Sequence, residues 1–268
     1  MDNSPKIITL PNGLRIVTEH IPFVRSVSFG VWVRTGSRNE APSQNGYSHF
    51  IEHMLFKGTA RRTAAEIADT MDEMGGHINA YTSKECTCYY TRTLDSHFDI
   101  ALDVLADMFF HSRFAPEEVA KERNVILEEI NMYEDTPEDV AQNLLQEAVF
   151  PGHPLGQAIL GTPESLAACN DVHLRGYFAQ NYRPENTVVT LAGNFNAAAV
   201  DKLRAVFEAA PWPQHAPAHN QATPAVYTPA FAKREKDIEQ VHLCLGFPGI
   251  PAGHPDAYPL AAAPTVTS

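Results

Sequence analysis

The chain has 268 residues, enough to bury a sizeable core, and its length suits one large domain or one domain with part of another. A formal net charge of −12 at pH 7 argues against a nucleic-acid-binding surface, which needs a clustered basic face. Hydrophobic residues make up 44% of the chain, yet no apolar run is long enough to span a bilayer, so we expect a folded protein without a membrane span.

The N-terminal segment predicts β-structure. Two apolar runs, "KIITL" and "LRIVTE", flank Pro11-Asn12-Gly13, which is a strong tight-turn signal and indicates a hairpin. The run "SVSFGVWV" then alternates in the manner of a half-buried strand. Its predicted core face consists of Val27, Phe29, Val31 and Val33.

The next segment, "GYSHFIEHMLFKGT", carries two histidines four residues apart. On a helical wheel with His49 at zero, His53 lies at about 40° and Glu52 at about 300°, so the three share one face. An apolar arc on the other side suits packing against a sheet. This face has two interpretations: solvated histidines beside a surface carboxylate, or two imidazoles on a divalent ion with a carboxylate left to handle a proton.

Further elements follow in quick succession. Thr63 and Glu66 form a capping box that predicts a helix, and Gly75-Gly76 ends it. The segments "HINAYTS" and "TCYYTRT" predict a strand pair, and the apolar stripe of residues 95–110 predicts a helix.

An acidic helix that begins at Pro116 is the best place to look for a third metal ligand. Glu122 and Glu129 are seven residues apart, or two turns, so they stack nearly on one line. Periodicity alone leaves the buried and the solvated interpretation of these two open. Glu128 and Glu134 are expected on a solvated face.

Strands and helices do not alternate regularly in the rest of the chain, where two helices, the strand "NTVVTLAGNF" and a further helix are predicted. This mixture favours an α+β sandwich over a doubly wound fold. A Pro/Ala-rich stretch, residues 209–235, is interpreted as a linker. A new strand is predicted in "EQVHLCLGFPGI", but residues 236–268 are too few to form a domain alone.

The start of the chain and its cysteines bear on location. "MDNSPKIITLPNG" shows none of the features of a signal peptide, so the expectation is a cytoplasmic protein. The cysteines are too few and too irregular in spacing for a disulfide framework or a four-cysteine zinc site, and we interpret them as reduced thiols. They are Cys86, Cys88, Cys169 and Cys244.

The motif His49-x-x-Glu52-His53, followed at a distance by Glu129, resembles the inverted zinc motif of the M16 metallopeptidases, the family of pitrilysin, insulinase and mitochondrial processing peptidase. Other segments that are similar to that family are "LPNGLRIVTEH", "GGHINAYTSKECTCYY", "ERNVILEEINMYEDTP" and "GHPLGQAILGT". The resemblance covers residues 7 to about 208 and, more weakly, 238 to 258. It implies a LuxS/metallopeptidase-like sandwich of a mainly antiparallel sheet packed with helices.

The resemblance also implies a division of the chain. Residues 1–208 would form the zinc-binding catalytic N-terminal domain, 209–235 the linker, and 236–268 the truncated start of a second M16 domain.

The resemblance further implies a role for individual residues. His49, His53 and Glu129 would bind Zn²⁺, Glu52 would be the general base, and Glu122 would be a second acidic residue of the catalytic centre that supports the site rather than ligating. The "HINAYTS" segment resembles the family's substrate-binding edge strand, in which Asn79, Ala80 and Tyr81 would contact an extended peptide. The alternative for this segment is an ordinary inner hairpin.

The implied function is a zinc-dependent endopeptidase of the processing type that cleaves extended or unfolded peptides. Members of that family enclose a peptide between two similar halves, so the expected partners are the peptide and a second M16 half or subunit, with a homodimer as one arrangement. Two alternatives stay open: a catalytically incompetent fragment or peptide-binding assembly subunit that retains zinc, and a protein with a purely structural metal.

Overall fold

A computed structural model of the chain describes residues 4–213 and 223–262. Within these ranges six strands form one sheet. They are β1 (Lys6–Thr9), β2 (Arg15–His20), β3 (Ser26–Val33), β4 (His77–Thr82), β5 (Thr87–Leu94) and β6 (Thr187–Gly193).

The described α-helices are α1 (Tyr47–Leu55), α2 (Ala64–Glu73), α3 (Phe98–His111), α4 (Pro116–Asp135), α5 (Pro137–Val149), α6 (Pro163–Ala167), α7 (Asp171–Asn181), α8 (Ala197–Ala209) and α9 (Ala257–Ala262). The Thr63–Glu66 capping box begins α2 as predicted, and the predicted helix at residues 95–110 starts with a short 3-10 turn before α3. The short helix α6 was not predicted, because five residues are too few to show an apolar stripe.

The strand order in the sheet is β1-β2-β6-β3-β5-β4. β2 and β6 run parallel, and every other neighbouring pair is antiparallel. The predicted α+β class with a mainly antiparallel sheet is therefore confirmed. β4 is the last strand of this order, so one of its edges pairs with β5 and the other is an edge of the sheet formed by the described residues.

One face of the sheet packs against helices and forms the core. The predicted core face of β3 is confirmed, because Val27, Phe29, Val31 and Val33 are at most 2% exposed. α3 packs on β3 and β5, while α1 packs on β4 and β5 and is itself contacted by α4 and α7. α1 is consequently held between the sheet edge that ends in β4 and the long helix α4.

The predicted strand in "EQVHLCLGFPGI" does not form, and this prediction was wrong. Residues 239–250 form no strand. Alternate apolar side chains of this segment are largely exposed, such as Val241 (95% exposed) and Leu243 (77% exposed). A strand needs a hydrogen-bonded neighbour, and within the described ranges none lies beside this segment.

Two further findings bear on the sequence analysis. All four cysteines are free thiols, as expected. No described helix is long and apolar enough to cross a membrane. Of the predicted linker and the residues after it, 214–222 and 263–268 lie outside the described residues.

Candidate metal centre

α1 has the two faces that the helical wheel predicts. The apolar arc formed by Phe50, Ile51, Met54 and Leu55 is at most 1% exposed. Opposite this arc, His49, Glu52 and His53 lie near α4 and β4. Because α1 is tightly packed on its apolar side, the direction of its polar side chains is determined by the packing of the core.

Three ligand atoms converge between α1 and α4. Nε2 of His49 lies 3.3 Å from Nε2 of His53, and Oε2 of Glu129 lies 3.7 Å and 3.6 Å from these two nitrogens. Tetrahedral zinc with bonds of about 2.0–2.1 Å separates its nitrogen and oxygen ligands by roughly 3.3–3.4 Å. The trio therefore fits one zinc ion, and it is the one group of at least three His, Cys, Asp or Glu side chains within the described residues that could hold a metal.

Glu122 orients His53 without contributing to this trio. Its Oε1 lies 2.8 Å from Nδ1 of His53, and its Oε2 lies 2.7 Å from Nζ of Lys57. Burial alone would raise the pKa of Glu122, but the hydrogen bonds with His53 and Lys57 hold that pKa below its ordinary value. Glu122 is thus an ionised acceptor, so Nδ1 of His53 donates the proton and Nε2 keeps its lone pair for a metal.

His49 is also in the form that binds metals. Burial and, to a smaller extent, the neighbouring His53 lower its pKa to about 3, so the imidazole is neutral at pH 7. Its Nδ1 is buried and has no hydrogen-bond partner among the described residues. His53 is therefore oriented by a carboxylate, whereas His49 is oriented by packing alone.

Glu52 lies beside the trio and contacts the edge strand. The hydroxyl of Thr82 donates to Oε2 of Glu52 over 2.5 Å. Burial raises the pKa of Glu52, and the Thr82 hydrogen bond and the nearby His53 partly oppose that rise. A carboxylate with a raised pKa next to a metal trio has the properties of a general base.

The structure resolves the two interpretations that the periodicity left open for α4. Glu122 is 4% exposed and faces His53. Glu129 is half-buried and faces both histidines, and burial raises its pKa. Glu128 is exposed, as expected.

The residues predicted to contact a peptide lie on the edge strand β4. Asn79 and Tyr81 are on the exposed face, and Ala80 is on the face toward the helices. Oδ1 of Asn79 accepts the N–H of Ala80 over 2.8 Å. N–H and C=O of one residue point the same way in an antiparallel strand and alternate along it, so Ala80 presents its backbone to the open edge, and the backbone of Asn79 points toward β5.

Sequence reasoning missed two residues of this centre, Lys57 and Thr82. Thr82 carried a detectable signal, because the period of two places it on the same face of β4 as Ile78 and Ala80. Lys57 carried none, since it lies two residues beyond the end of α1 and reaches Glu122 only through the tertiary fold.

Comparison with protein families identifies two matches along the chain. Residues 15–163 match the family described as "Insulinase (Peptidase family M16)". Residues 172–266 match the family described as "Peptidase M16 inactive domain". The first match contains every residue of the metal centre described above.

Curated relatives are similar over most of this chain. An uncharacterized zinc protease of Bacillus subtilis, YmxG, is 48% identical over 255 residues, which are 95% of this chain and 62% of that protein. An uncharacterized zinc protease of Mycobacterium leprae is 42% identical, and the match covers 89% of this chain and 54% of the relative. The chain therefore spans less than two thirds of the length of these two relatives.

Solved structures share the fold. A protease from Helicobacter pylori superposes with a TM-score of 0.73 at 25% identity and covers 78% of this chain and 51% of its own. The periplasmic protease PqqL from Escherichia coli has a TM-score of 0.76 at 22% identity over 84% of this chain and 26% of its own, a likeness that concerns the fold alone.

Proposed function

This chain belongs to peptidase family M16, and on that premise we propose that it is a zinc-dependent endopeptidase of the processing-peptidase type. The observation that carries the proposal is that ligand atoms of His49, His53 and Glu129 lie within 4.8 Å of one another beside the half-buried carboxyl group of Glu52. A purely structural metal site needs only its ligands, whereas a catalytic site also needs a general base such as a carboxylate with a raised pKa.

His49, His53 and Glu129 would hold the zinc ion. The fit is supported by the neutral state of His49, by the Nδ1–H tautomer of His53 and by the spacing of the three ligand atoms. Zinc, when bound, supplies an acidified water molecule and polarises the carbonyl group of the peptide bond to be cleaved. Three protein ligands leave a coordination position open, which is typical of catalytic rather than structural zinc.

Glu52 accepts the proton of the attacking water and passes it to the leaving amine. The Thr82 hydroxyl holds one oxygen of the carboxylate in a fixed direction, so this general base is oriented before the peptide arrives. Glu122 and Lys57 do not bind the metal. Glu122 fixes the tautomer and the ring orientation of His53, and Lys57 forms an ion pair with Glu122.

The peptide would bind as an added strand along β4. The backbone of Ala80 points to the open edge. The Asn79 side-chain oxygen now accepts the N–H of Ala80 and would move aside when a peptide carbonyl group takes its place. Tyr81 stacks edge-on against Trp32 on the exposed face and would stiffen the strand. Strand addition requires an extended partner, so unfolded or short peptides are the proposed substrates.

The chain spans only part of the length of its relatives, and we propose that peptide hydrolysis requires a second half besides the domain that holds the metal trio. M16 folds commonly pair with a second half, and we propose a second M16 half or subunit, or a second copy of this chain, as the partner. Residues 1–208 would be the catalytic domain, 209–235 the linker and 236–268 the start of the second domain, in the cytoplasm.

A second function is a non-catalytic peptide-binding or assembly subunit that retains zinc. The match of residues 172–266 to the family described as "Peptidase M16 inactive domain" favours this alternative.

The test combines zinc content with peptide hydrolysis. We expect the wild-type chain to bind one zinc ion and to cleave an unfolded basic peptide, alone or with a full-length homologue inactivated at its own general base. Glu52→Gln should keep the zinc and lower hydrolysis by roughly 10²–10⁴-fold. Glu129→Gln should bind zinc much more weakly, through the two histidines that remain, and Glu128→Gln, at the exposed neighbouring position of the same helix, should behave as wild type.

Two results would count against the proposal. Zinc binding without cleavage, even beside the inactivated homologue, would favour the peptide-binding subunit. Equal zinc affinity in Glu129→Gln and wild type would contradict the assignment of the third ligand.

A further inference from the structure

A second buried carboxylate, Glu40, lies outside the metal centre and is only 2% exposed. It immediately follows the short 3-10 helix Ser37–Asn39. Its Oε1 accepts the backbone N–H of Ser48 over 2.7 Å. Its Oε2 accepts the backbone N–H of Gly46 over 2.8 Å and the side-chain amide of Asn45 over 3.2 Å.

Glu40 supplies hydrogen-bond acceptors for N–H groups at the start of α1. The first N–H groups of a helix have no partner within the helix and are usually bound by the side chain of the N-cap residue. The N-cap of α1 is Gly46, which has no side chain to offer. Glu40, six residues before Gly46, therefore caps the helix in place of the N-cap side chain and adds a negative charge at its N-terminus.

The three partners of Glu40 are all donors, so the ionised carboxylate is the form they bind. Burial raises the pKa of Glu40, and the backbone hydrogen bonds of Ser48 and Gly46 oppose that rise. A neutral amide in the same place would present an NH₂ group to at least one of these donors.

The cap is adjacent to the proposed ligands. Ser48 directly precedes His49, and both histidines lie on α1, whereas Glu129 lies on α4. A shift of α1 would leave the 3.3 Å separation of the two histidine nitrogens nearly unchanged. The same shift would alter the distances of 3.7 Å and 3.6 Å to Glu129.

We propose that Glu40 is a positioning residue of the metal centre, which holds α1 where His49 and His53 meet Glu129. The inference rests on the proposed function insofar as the centre takes zinc. Glu40 touches neither the metal trio nor a peptide, so it acts entirely through the position of α1.

The first test compares zinc affinities. Glu40→Gln should weaken zinc binding by about 10–100-fold, as removal of outer-shell partners typically does. Glu40→Asp keeps the negative charge on a side chain that is one methylene shorter, so it should weaken zinc binding less than Glu40→Gln does. It replaces the glutamine variant if that variant does not fold. The matched control is Glu66→Ala, which removes the side chain that accepts the N–H of Thr63 in the cap of α2, a helix without a ligand, and should lower the Tm without changing zinc affinity.

The second test is a double-mutant cycle. In a Glu129→Gln background the ligands that remain both lie on α1, so adding Glu40→Gln should change zinc affinity by less than about 3-fold. An undiminished effect of Glu40→Gln in that background would overturn the inference, because Glu40 would then act on the histidines themselves or on general stability.

The third test does not depend on zinc. A crystal structure of the metal-free Glu40→Gln or Glu40→Asp protein should show separations between Glu129 and the two histidines longer than 3.7 Å and 3.6 Å, with the histidine pair still near 3.3 Å. Unchanged separations would overturn the inference. Failure of the wild type to bind zinc would instead reject the proposed function, and the metal-free distances would still decide the role of Glu40.

Discussion

At the scale of single residues, the carboxylate of Glu122 decides which nitrogen of His53 faces the metal site. It receives Nδ1–H of His53 on one oxygen and the ammonium group of Lys57 on the other. Both contacts favour its ionised form and hold its pKa low despite the burial. A neutral replacement would keep the shape of this arrangement but weaken its control over the tautomer.

Glu122→Gln should therefore lower zinc affinity by about 10–100-fold, because the His53 ring loses the charged acceptor that fixes its tautomer. Isothermal titration of the metal-free protein with zinc measures this change. The control is Glu118→Gln on the same helix, where a half-buried glutamate away from the histidines pairs with Lys121. If Glu122→Gln and Glu118→Gln bound zinc equally tightly, the orienting role of Glu122 would be wrong.

At the scale of elements, the entry into α1 depends on two glycines packed against each other. Gly46 has a φ of +93° and Gly161 a φ of +83°, and the backbones of the two residues are in close contact. A Cβ on Gly46 would lie 2.6 Å from the carbonyl oxygen of Leu160. The loop before α6 consequently approaches the start of α1 more closely than any residue with a side chain allows.

Gly46→Ala should lower the free energy of unfolding by at least ~1–2 kcal/mol, from the left-handed backbone alone. Urea unfolding monitored by circular dichroism measures this loss. Gly176→Ala is the matched control, since Gly176 lies in α7 with open space around its Cβ position, and it should raise stability by up to ~1 kcal/mol. Equal stabilities for the two variants would contradict the close contact.

The same scale shows how far sequence patterns predict elements. The strand "SVSFGVWV", the capping box of α2 and the apolar arc of α1 were all predicted, because each pattern concerns neighbours along the chain. The strand predicted in residues 239–250 failed, although its apolar alternation is genuine. Alternation specifies two faces, but strand formation also needs a partner at the edge.

At the scale of the whole molecule, the candidate metal centre lies where α1, α4 and the sheet edge meet, and the burial of its residues affects the stability of the fold. His49 takes up a proton near pH 6.5 in the unfolded chain, but only near pH 3 in the folded protein. Between these two values the unfolded state binds more protons, so the free energy of unfolding rises with pH and falls as the pH is lowered.

We therefore expect the metal-free protein to lose stability as the pH falls from 6.5 toward 3, with a steeper slope than in the variant His49→Gln. Chemical unfolding at a series of pH values, in the presence of a chelator, measures both slopes. The comparison with His49→Gln removes the contributions of the carboxylates that titrate in the same range. Parallel slopes would show that His49 is not held neutral by its burial.

The sequence by itself determined most of the elements, the shared polar face of α1 and the resemblance that predicted Zn²⁺, because helical spacing places His49, Glu52 and His53 on one face whatever surrounds them. Only the tertiary structure decided the different positions of Glu122 and Glu129, which share one line of α4. The packing of α4 against α1 buries Glu122 against His53 and Lys57 and leaves Glu129 at the opening between the histidines. Contacts of this kind join residues far apart in the chain, and for the same reason the sequence did not reveal that Lys57 reaches Glu122 or that Thr82 donates to Glu52.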